Sequence, residues 1–563
     1  MDFILLKVFV FTLAACLIID GVYVAAAPDI QLVSGLARGY DKQASETGKP
    51  YSVYYGIPFA EPPVGELRFA PPRPYTSRGA GSVITSNRFR PSCYQFPAPP
   101  ALMSKDCLHL NIFSPPDASP ARLKKVMVWI HGGGFMNGAA EPYIPSRMVT
   151  DRDVMIVTIQ YRLAAFGFLS SGDDAQSGNM GVKDQLLALR WVKDNIRQFG
   201  GFPDDVTIFG ESAGSASVSA LSLTPRAKGL FTKAILQSGT ILSSWAMAYD
   251  PKQTFYQYAK KADCLPLIYN PWNTLGYHQS ALNCLKAKTA KELVDAHSKY
   301  DLEALVFDKG FWEQAAFGLV VDNDFLPRNP AELMKDKSYL QQHGVLERSY
   351  LMGITDNESI LTVLGVRKES YGNITSASNM APLIQSIVRG KLSMPVDSDG
   401  LNVVDFIYTF PRDSDGRIPL QKFLDLQTDD SFTVPLVLFA RALVEAAPAT
   451  PVYMYLFDSE PKLKDPNGPI RGTNHGMDLL HEFDGIPEES LKFLYFYADR
   501  DPVKFPIITN AFRGYVTDFA KTGNPSPGVP NDWPRYDRQR EQYLVISSQP
   551  EVRERIFAQR VSL

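Results

Sequence analysis

Six short apolar runs set the first limit on what this chain can become: Val126–Ile130, Val154–Gln160, Val206–Phe209, Ala234–Leu236, Ser349–Ile354 and Val452–Phe457. Most are rich in Val and Ile and bounded by turn residues, which reads as buried strands. Between the second and third lies Lys183–Phe199, where Leu189, Val192, Ile196 and Phe199 recur at helical spacing before Gly200-Gly201-Phe202-Pro203 ends the helix. Strand, helix and strand in this order predict an α/β fold with a mostly parallel sheet covered on both faces. About a hundred residues then separate the strand near Leu236 from the one near Ser349, and a similar gap precedes Val452. Neither gap is repetitive or low in complexity, so both are expected to be mainly helical insertions. These can wall a pocket over the strand ends, where open α/β sheets bind ligands. No shift in composition marks a second independent domain.

The 563 residues are 45% hydrophobic and 21% charged, with a net charge of −3. No acidic or basic block stands out, which argues against nucleic acid or a charged membrane surface as partner. A small molecule is the expected ligand, bound by a monomer or homodimer.

The N-terminal stretch Phe3–Ile19 has a lone Lys7, an apolar run from Val8 to Ile19, and small residues at Ala25 to Ala27. It predicts a secretory signal over residues 1–26, leaving 27–563 as the mature domain. The alternative, a membrane anchor, needs a longer uninterrupted run. Gln559-Arg560-Val561-Ser562-Leu563 carries neither an ER-retention tetrapeptide nor a lipid-anchor tail. The expectation is a secreted, extracellular protein with no stable membrane anchor. Cys16 leaves with the signal. Cys93, Cys107, Cys264 and Cys284 remain, an even number with three possible pairings. Pairing of neighbours would close two short loops, each contributing about 3 kcal/mol in the loop-entropy account.

Chemistry enters at Gly210-Glu211-Ser212-Ala213-Gly214, directly after the run Val206–Phe209. Gly-x-Ser-x-Gly after a strand is a nucleophile elbow, a tight turn that presents a serine hydroxyl at the sheet edge. The pattern alone arises by chance in about one chain in five of this length. A second signal changes that balance. His131-Gly132-Gly133-Gly134-Phe135 follows the run Val126–Ile130, and glycine-rich backbone there can turn N–H groups toward a developing oxyanion, joined by the amide of Ala213. The chain order of this constellation is serine, acid, histidine. His475, in the loop after Val452–Phe457, and His481, in the apolar stretch Met477–Phe483 that reads as helical, follow any plausible acid. His475 reads as the base and His481 as a packed structural histidine. Asp356 and Glu358 both follow the run Ser349–Ile354, and spacing does not separate them. No His/Cys/Asp cluster has metal-ligand spacing, so no metal or organic cofactor is expected.

The sequence resembles the type-B carboxylesterase and cholinesterase family over nearly the whole mature chain, with the flavour of insect secreted esterases. The likeness rests on Gly56-Ile57-Pro58-Phe59-Ala60 with Pro62-Pro63, Asp106-Cys107-Leu108 leading to Leu110-Asn111-Ile112, Gly178-Asn179 with Asp184-Gln185, and Gln237-Ser238-Gly239. The resemblance implies a single α/β-hydrolase domain and hydrolysis of carboxylic esters. It aligns the family's acid with Glu358 and its base with His475, within His475-Gly476-Met477-Asp478-Leu479. It gives the oxyanion donors as Gly133, Gly134 and Ala213, and matches Trp245 to a tryptophan behind the acyl side of the pocket. Of the two sequons, at Asn357 and Asn373, Asn373 is the expected glycosylation site, because a glycan at Asn357 would crowd the acid. The Cys93–Cys107 segment holds Tyr94 and Phe96 but lacks the tryptophan with which cholinesterases bind a quaternary ammonium. A broad-specificity secreted carboxylesterase is therefore the first reading. A dedicated juvenile hormone, pheromone or odorant esterase is the second, and Glu211 stands where juvenile hormone esterases commonly have Gln. A binding or adhesion protein of the neuroligin-like type is a remote third, since those relatives typically lack a working triad.

Overall fold

The computed structural model describes residues 27–556 except 78, 80, 97, 266–273, 305–316, 361–407, 409–419, 460–461, 464–471, 485, 487–497, 500 and 529–531. The expected signal over 1–26 and the sequon at Asn373 lie outside the described residues. Eleven strands form the main sheet among the described residues: β1 (Tyr40–Gln43), β2 (Pro50–Pro58), β3 (His109–Ser114), β4 (Lys124–Ile130), β5 (Met155–Ile159), β6 (Gly201–Glu211), β7 (Lys233–Gln237), β8 (Ser349–Thr355), β9 (Val452–Phe457), β10 (Gln542–Ile546) and β11 (Glu551–Glu554). Their spatial order is β11-β10-β9-β8-β7-β6-β4-β5-β3-β2-β1. From β5 to β10 the neighbours run parallel, in registers such as Phe209 opposite Ile235 and Trp129. The outer pairs, β1–β2, β2–β3, β3–β5 and β10–β11, are antiparallel.

Burial explains why the central strands read as continuous apolar runs. In β4, Val126, Val128 and Ile130 join one core, while Met127 and Trp129 join the other. The same alternation splits β9, with Val452, Met454 and Leu456 on one face and Tyr453, Tyr455 and Phe457 on the opposite one. A strand buried on both sides has no position left for a polar side chain. Eight helices are labelled here: α1 (Ser146–Arg152), α2 (Met180–Asn195), α3 (Ala213–Leu223), α4 (Pro251–Lys261), α5 (Thr274–Ala287), α6 (Ala290–Ala304), α7 (Val434–Ala446) and α8 (Lys504–Thr522). The first core is closed by α2 through Val182, Leu189 and Val192 and by α7 through Leu436 and Leu443. Met148 and Val149 of α1, with Phe512 and Phe519 of α8, close the second. Each such side chain contributes about 1.5–3 kcal/mol by leaving water.

All six predicted strands are present, five of them with ends displaced by a residue or more. The largest displacement is in β6, which starts at Gly201, five residues before its apolar run, because Gly201 pairs with Lys124 ahead of a register shift. The helix predicted over Lys183–Phe199 begins three residues earlier, at Met180, and closes as a tighter turn over Ile196–Phe199. Among the described residues the first long gap holds α4, α5 and α6 and the second holds α7, while most of the second gap lies outside the described residues. The edge strands had no such signature: β11 is exposed along its whole length. No helix among the described residues is long and apolar enough to cross a membrane.

Candidate active site

Ser212 joins β6 to α3 with φ 58° and ψ −122°. A side chain at positive φ costs of order 1–3 kcal/mol and persists only where the surroundings enforce it. Here the glycines on either side enforce it. A Cβ on Gly210 would lie 2.5 Å from the Ile130 carbonyl oxygen, and one on Gly214 would collide with that same oxygen. The turn therefore packs directly on the end of β4, and the Ser212 N–H donates to the Gln237 carbonyl of β7 at 2.9 Å. Ala213 opens α3, so its N–H belongs to the first helical turn, whose donors have no partner within the helix and carry its positive end.

The glycine-rich loop leaves β4 beside this turn. A Cβ on Gly132 would lie 3.0 Å from the Ser212 Cβ, so the loop runs against the serine. Gly133 and Gly134 take φ 105° and 63°, and around Gly134 the space is open. Positive φ reverses the direction of the peptide N–H relative to a strand, which is what the glycines make possible.

Glu358 and His475 meet from opposite ends of the chain. The Glu358 carboxylate is fully buried, and its Oε2 lies 2.6 Å from His475 Nδ1. Its Oε1 accepts hydrogen bonds from the Thr355 N–H at 2.7 Å and the Ser238 hydroxyl at 2.6 Å. The other ring nitrogen of His475, Nε2, lies 3.0 Å from Glu211 Oε1, and Phe432 packs on the ring at 4.9 Å between centroids. Burial works against a charged imidazole, yet the carboxylates of Glu211 and Glu358 outweigh it and raise the His475 pKa well above its ordinary value.

The neighbouring candidates sit elsewhere. Asp356 accepts a hydrogen bond from the Thr473 N–H and so braces the loop that carries His475. Burial, reinforced by Asp458, pushes its carboxyl up to about 7. His481 is fixed by Thr509 Oγ1 at 2.8 Å and packed between Phe505 and Phe457. Asp478, raised by burial to about 7, accepts from Gln237 Nε2 at 2.9 Å.

Trp245 lies behind the serine: a Cβ on Gly239 would be 2.9 Å from its Cζ2 and 3.0 Å from the Ser212 carbonyl oxygen. The indole N–H donates to the Ser431 carbonyl at 3.1 Å, and the ring faces Phe432 at 5.9 Å. Phe432 belongs to a wide helical turn, Asp429–Thr433, a form often found at functional sites. Disulfides join Cys93 to Cys107 and Cys264 to Cys284. Within the first loop Tyr94 packs against Phe166 at 5.9 Å and Phe96 against His297 at 6.4 Å. Asn357 is 2% exposed, which leaves no room for a glycan in the folded chain.

This arrangement is accompanied by a full-length family match. The Carboxylesterase family matches residues 26–563. The chain belongs to the carboxylesterase family. Its α/β-hydrolase fold is that family's, in one domain. Carboxylesterase 1C of Rattus norvegicus is 33% identical over 557 residues, covering 96% of this chain and 93% of the relative. Liver carboxylesterase 1 of Oryctolagus cuniculus is also 33% identical, over 93% and 90% of the two chains. Liver carboxylesterase of Sus scrofa is 32% identical, over 96% and 92%. In this esterase Phe432 and the Ser238 hydroxyl lie at the site without being singled out by the sequence. Ser238 stands in Gln237-Ser238-Gly239, at the end of the strand beside the elbow, and that placement is the signal the sequence carries for it. Nothing in the sequence around Phe432 sets it apart from other buried aromatics.

Proposed function

We propose that this carboxylic ester hydrolase is secreted and cleaves neutral esters through Ser212, His475 and Glu358, by way of an acyl-enzyme. The reading is carried by one juxtaposition: a buried carboxylate 2.6 Å from the imidazole of His475, in the fold whose elbow strains Ser212. Neutral His475 removes the Ser212 proton as the oxygen attacks the ester carbonyl carbon. Gly133, Gly134 and Ala213 donate N–H groups to the resulting oxyanion. The imidazolium, held in orientation by Glu358, then gives its proton to the departing alkoxide. Water repeats the sequence on the acyl-enzyme and releases the acid. Trp245 forms the acyl-side wall. The two disulfides suit an oxidising compartment, which supports export, and Asn373 remains the proposed glycosylation site.

Two measurements test this. An organophosphate or trifluoromethyl ketone is expected to block Ser212 covalently, and Ser212→Ala to lose several orders of magnitude in acylation rate; undiminished turnover by Ser212→Ala overturns the mechanism. Naphthyl acetate is expected to have a higher kcat/KM than acetylthiocholine, because Tyr94 and Phe96 are engaged with Phe166 and His297. Loss of a desolvated cation–π contact alone is worth about thirtyfold. A preference for the choline ester would overturn the neutral-ester assignment. The likeness to insect secreted esterases belongs to the same proposal; the three relatives named above are mammalian.

A further inference from the structure

The glycine loop after β4 is gripped from outside by one side chain. Gln95 lies in the loop closed by Cys93 and Cys107 and is 2% exposed. Its Nε2 donates to the Gly138 carbonyl at 2.8 Å, and its Oε1 accepts from the Gly138 N–H at 2.8 Å. Exchanging the amide oxygen and nitrogen would set donor against donor, so the two bonds fix the orientation. Nε2 also donates to the Cys93 carbonyl at 3.2 Å and to Ser92 Oγ at 3.3 Å. The carboxamide is thereby immobilised by its own loop before it reaches the glycine loop.

Gly138 is where that loop returns. With φ +124°, it packs so closely that a Cβ would collide with the His131 ring and lie 2.5 Å from the Gly132 carbonyl oxygen. Between the two ends, the N–H groups of Met136 and Asn137 both donate to the Gly133 carbonyl at 3.0 Å. These bonds close Gly133–Asn137 into a small backbone ring, flanked by Gly132 against Ser212 and by Gly138 in the grip of Gln95.

We propose that Gln95 is a positioning residue for the oxyanion donors. Its two-bond grip on Gly138 sets the tilt of the ring and hence the aim of the Gly133 and Gly134 N–H groups at the carbonyl oxygen of the substrate. The inference rests on Ser212 being the nucleophile. Gln95 touches no reacting atom and acts through Gly138. Oxyanion stabilisation depends on donors aimed before the reaction starts, and a misplacement of about 1 Å can cost on the order of a hundredfold in rate.

The test uses the mature enzyme with its active sites titrated, and two variants. Gln95→Met keeps the length of the side chain and removes both bonds. We expect kcat per site to fall about thirtyfold with KM within about twofold, as for a loss confined to the transition state. Affinity for a trifluoromethyl ketone, which forms a hemiketal oxyanion, should fall by the same factor. Affinity for the matching methyl ketone, bound without addition, should stay unchanged. Gln95→Glu supplies the second readout. Protonated, its carboxyl donates and accepts as the amide does; ionised, it only accepts. Its kcat/KM relative to the parent enzyme should therefore rise as the pH falls through that carboxyl's pKa. If Gln95→Met fails to fold, the pH dependence of this ratio decides alone. A flat ratio, or an unchanged kcat per site beside a lowered melting temperature, assigns Gln95 a purely structural role and overturns the proposal. Activity in Ser212→Ala would instead unseat the nucleophile, whatever Gln95 does.

Discussion

The two halves of the site are built by different means. The serine half is local and made of backbone. Strand β6, its turn and α3 are continuous in sequence, and the glycines at 210 and 214 let the turn press on the Ile130 carbonyl. The proposed acid–base half is assembled from segments far apart in the chain and is made of side-chain charge. Glu358 and His475 are 117 positions apart, and the loop around His475 is braced by Asp356 and Thr473. Close packing barely responds to pH or salt, whereas buried hydrogen-bonded charges respond to both the proton and the loss of any one partner. The first half should fail by steric crowding and the second by a change of charge.

The largest expected effect separates two histidines six residues apart. His475→Ala is expected to lower kcat/KM by about four orders of magnitude or more, since the proposed mechanism routes both proton transfers through that ring. His481→Ala, which empties a cavity between Phe457 and Phe505, should leave most activity and lower the melting temperature. A steady-state comparison of the two purified variants checks this, and the reverse result would show that the acid–base half had been assigned to the wrong loop.

Crowding is the next test. Gly214→Ala puts a methyl group into the Ile130 carbonyl oxygen and is expected to cost about 3 kcal/mol of stability, with the loss of activity that follows from a displaced elbow. Thermal melts at two pH values should show the same loss at both. A strongly pH-dependent loss would break the contrast drawn between the halves.

The smallest effect is a shift along the pH axis. The His475 pKa is raised because two carboxylates outweigh burial, and in the proposed mechanism only the neutral ring takes the Ser212 proton. Activity should therefore climb with pH, on an acid limb lying above the usual histidine range of about 6.5. Glu211→Gln removes one of the two charges that hold the proton on the ring and should move that limb of kcat/KM to lower pH. The stability linkage has the matching sign. A pKa raised on folding stabilises the fold at low pH, and this contribution disappears as the pH rises through the folded value. An acid limb that stays in place in Glu211→Gln would mean that Glu211 does not hold the ring in solution.

The sequence by itself determined what depends on near neighbours in the chain. The six central strands were legible because a strand buried on both faces must be apolar throughout, and the elbow and glycine loop because each packs a backbone turn against the strand it follows. His475 was separated from His481 by one being in a loop and the other in an apolar stretch. Only the tertiary structure decided what depends on meeting. Spacing alone leaves Asp356 and Glu358 equivalent, two residues apart after the same strand, and in the sequence only the family resemblance favours Glu358. The turn after β8 sends Glu358 inward onto His475 and Ser238 and leaves Asp356 to the Thr473 N–H. The edge strands carry no continuous apolar signature, since pairing rather than burial defines them. Phe432 reaches the His475 ring from a helical turn 43 positions away in sequence, and Gln95 reaches Gly138 across the same sequence distance. A contact between distant residues is set by how helices and loops pack on the sheet, and one residue's identity does not record where packing will place its partner.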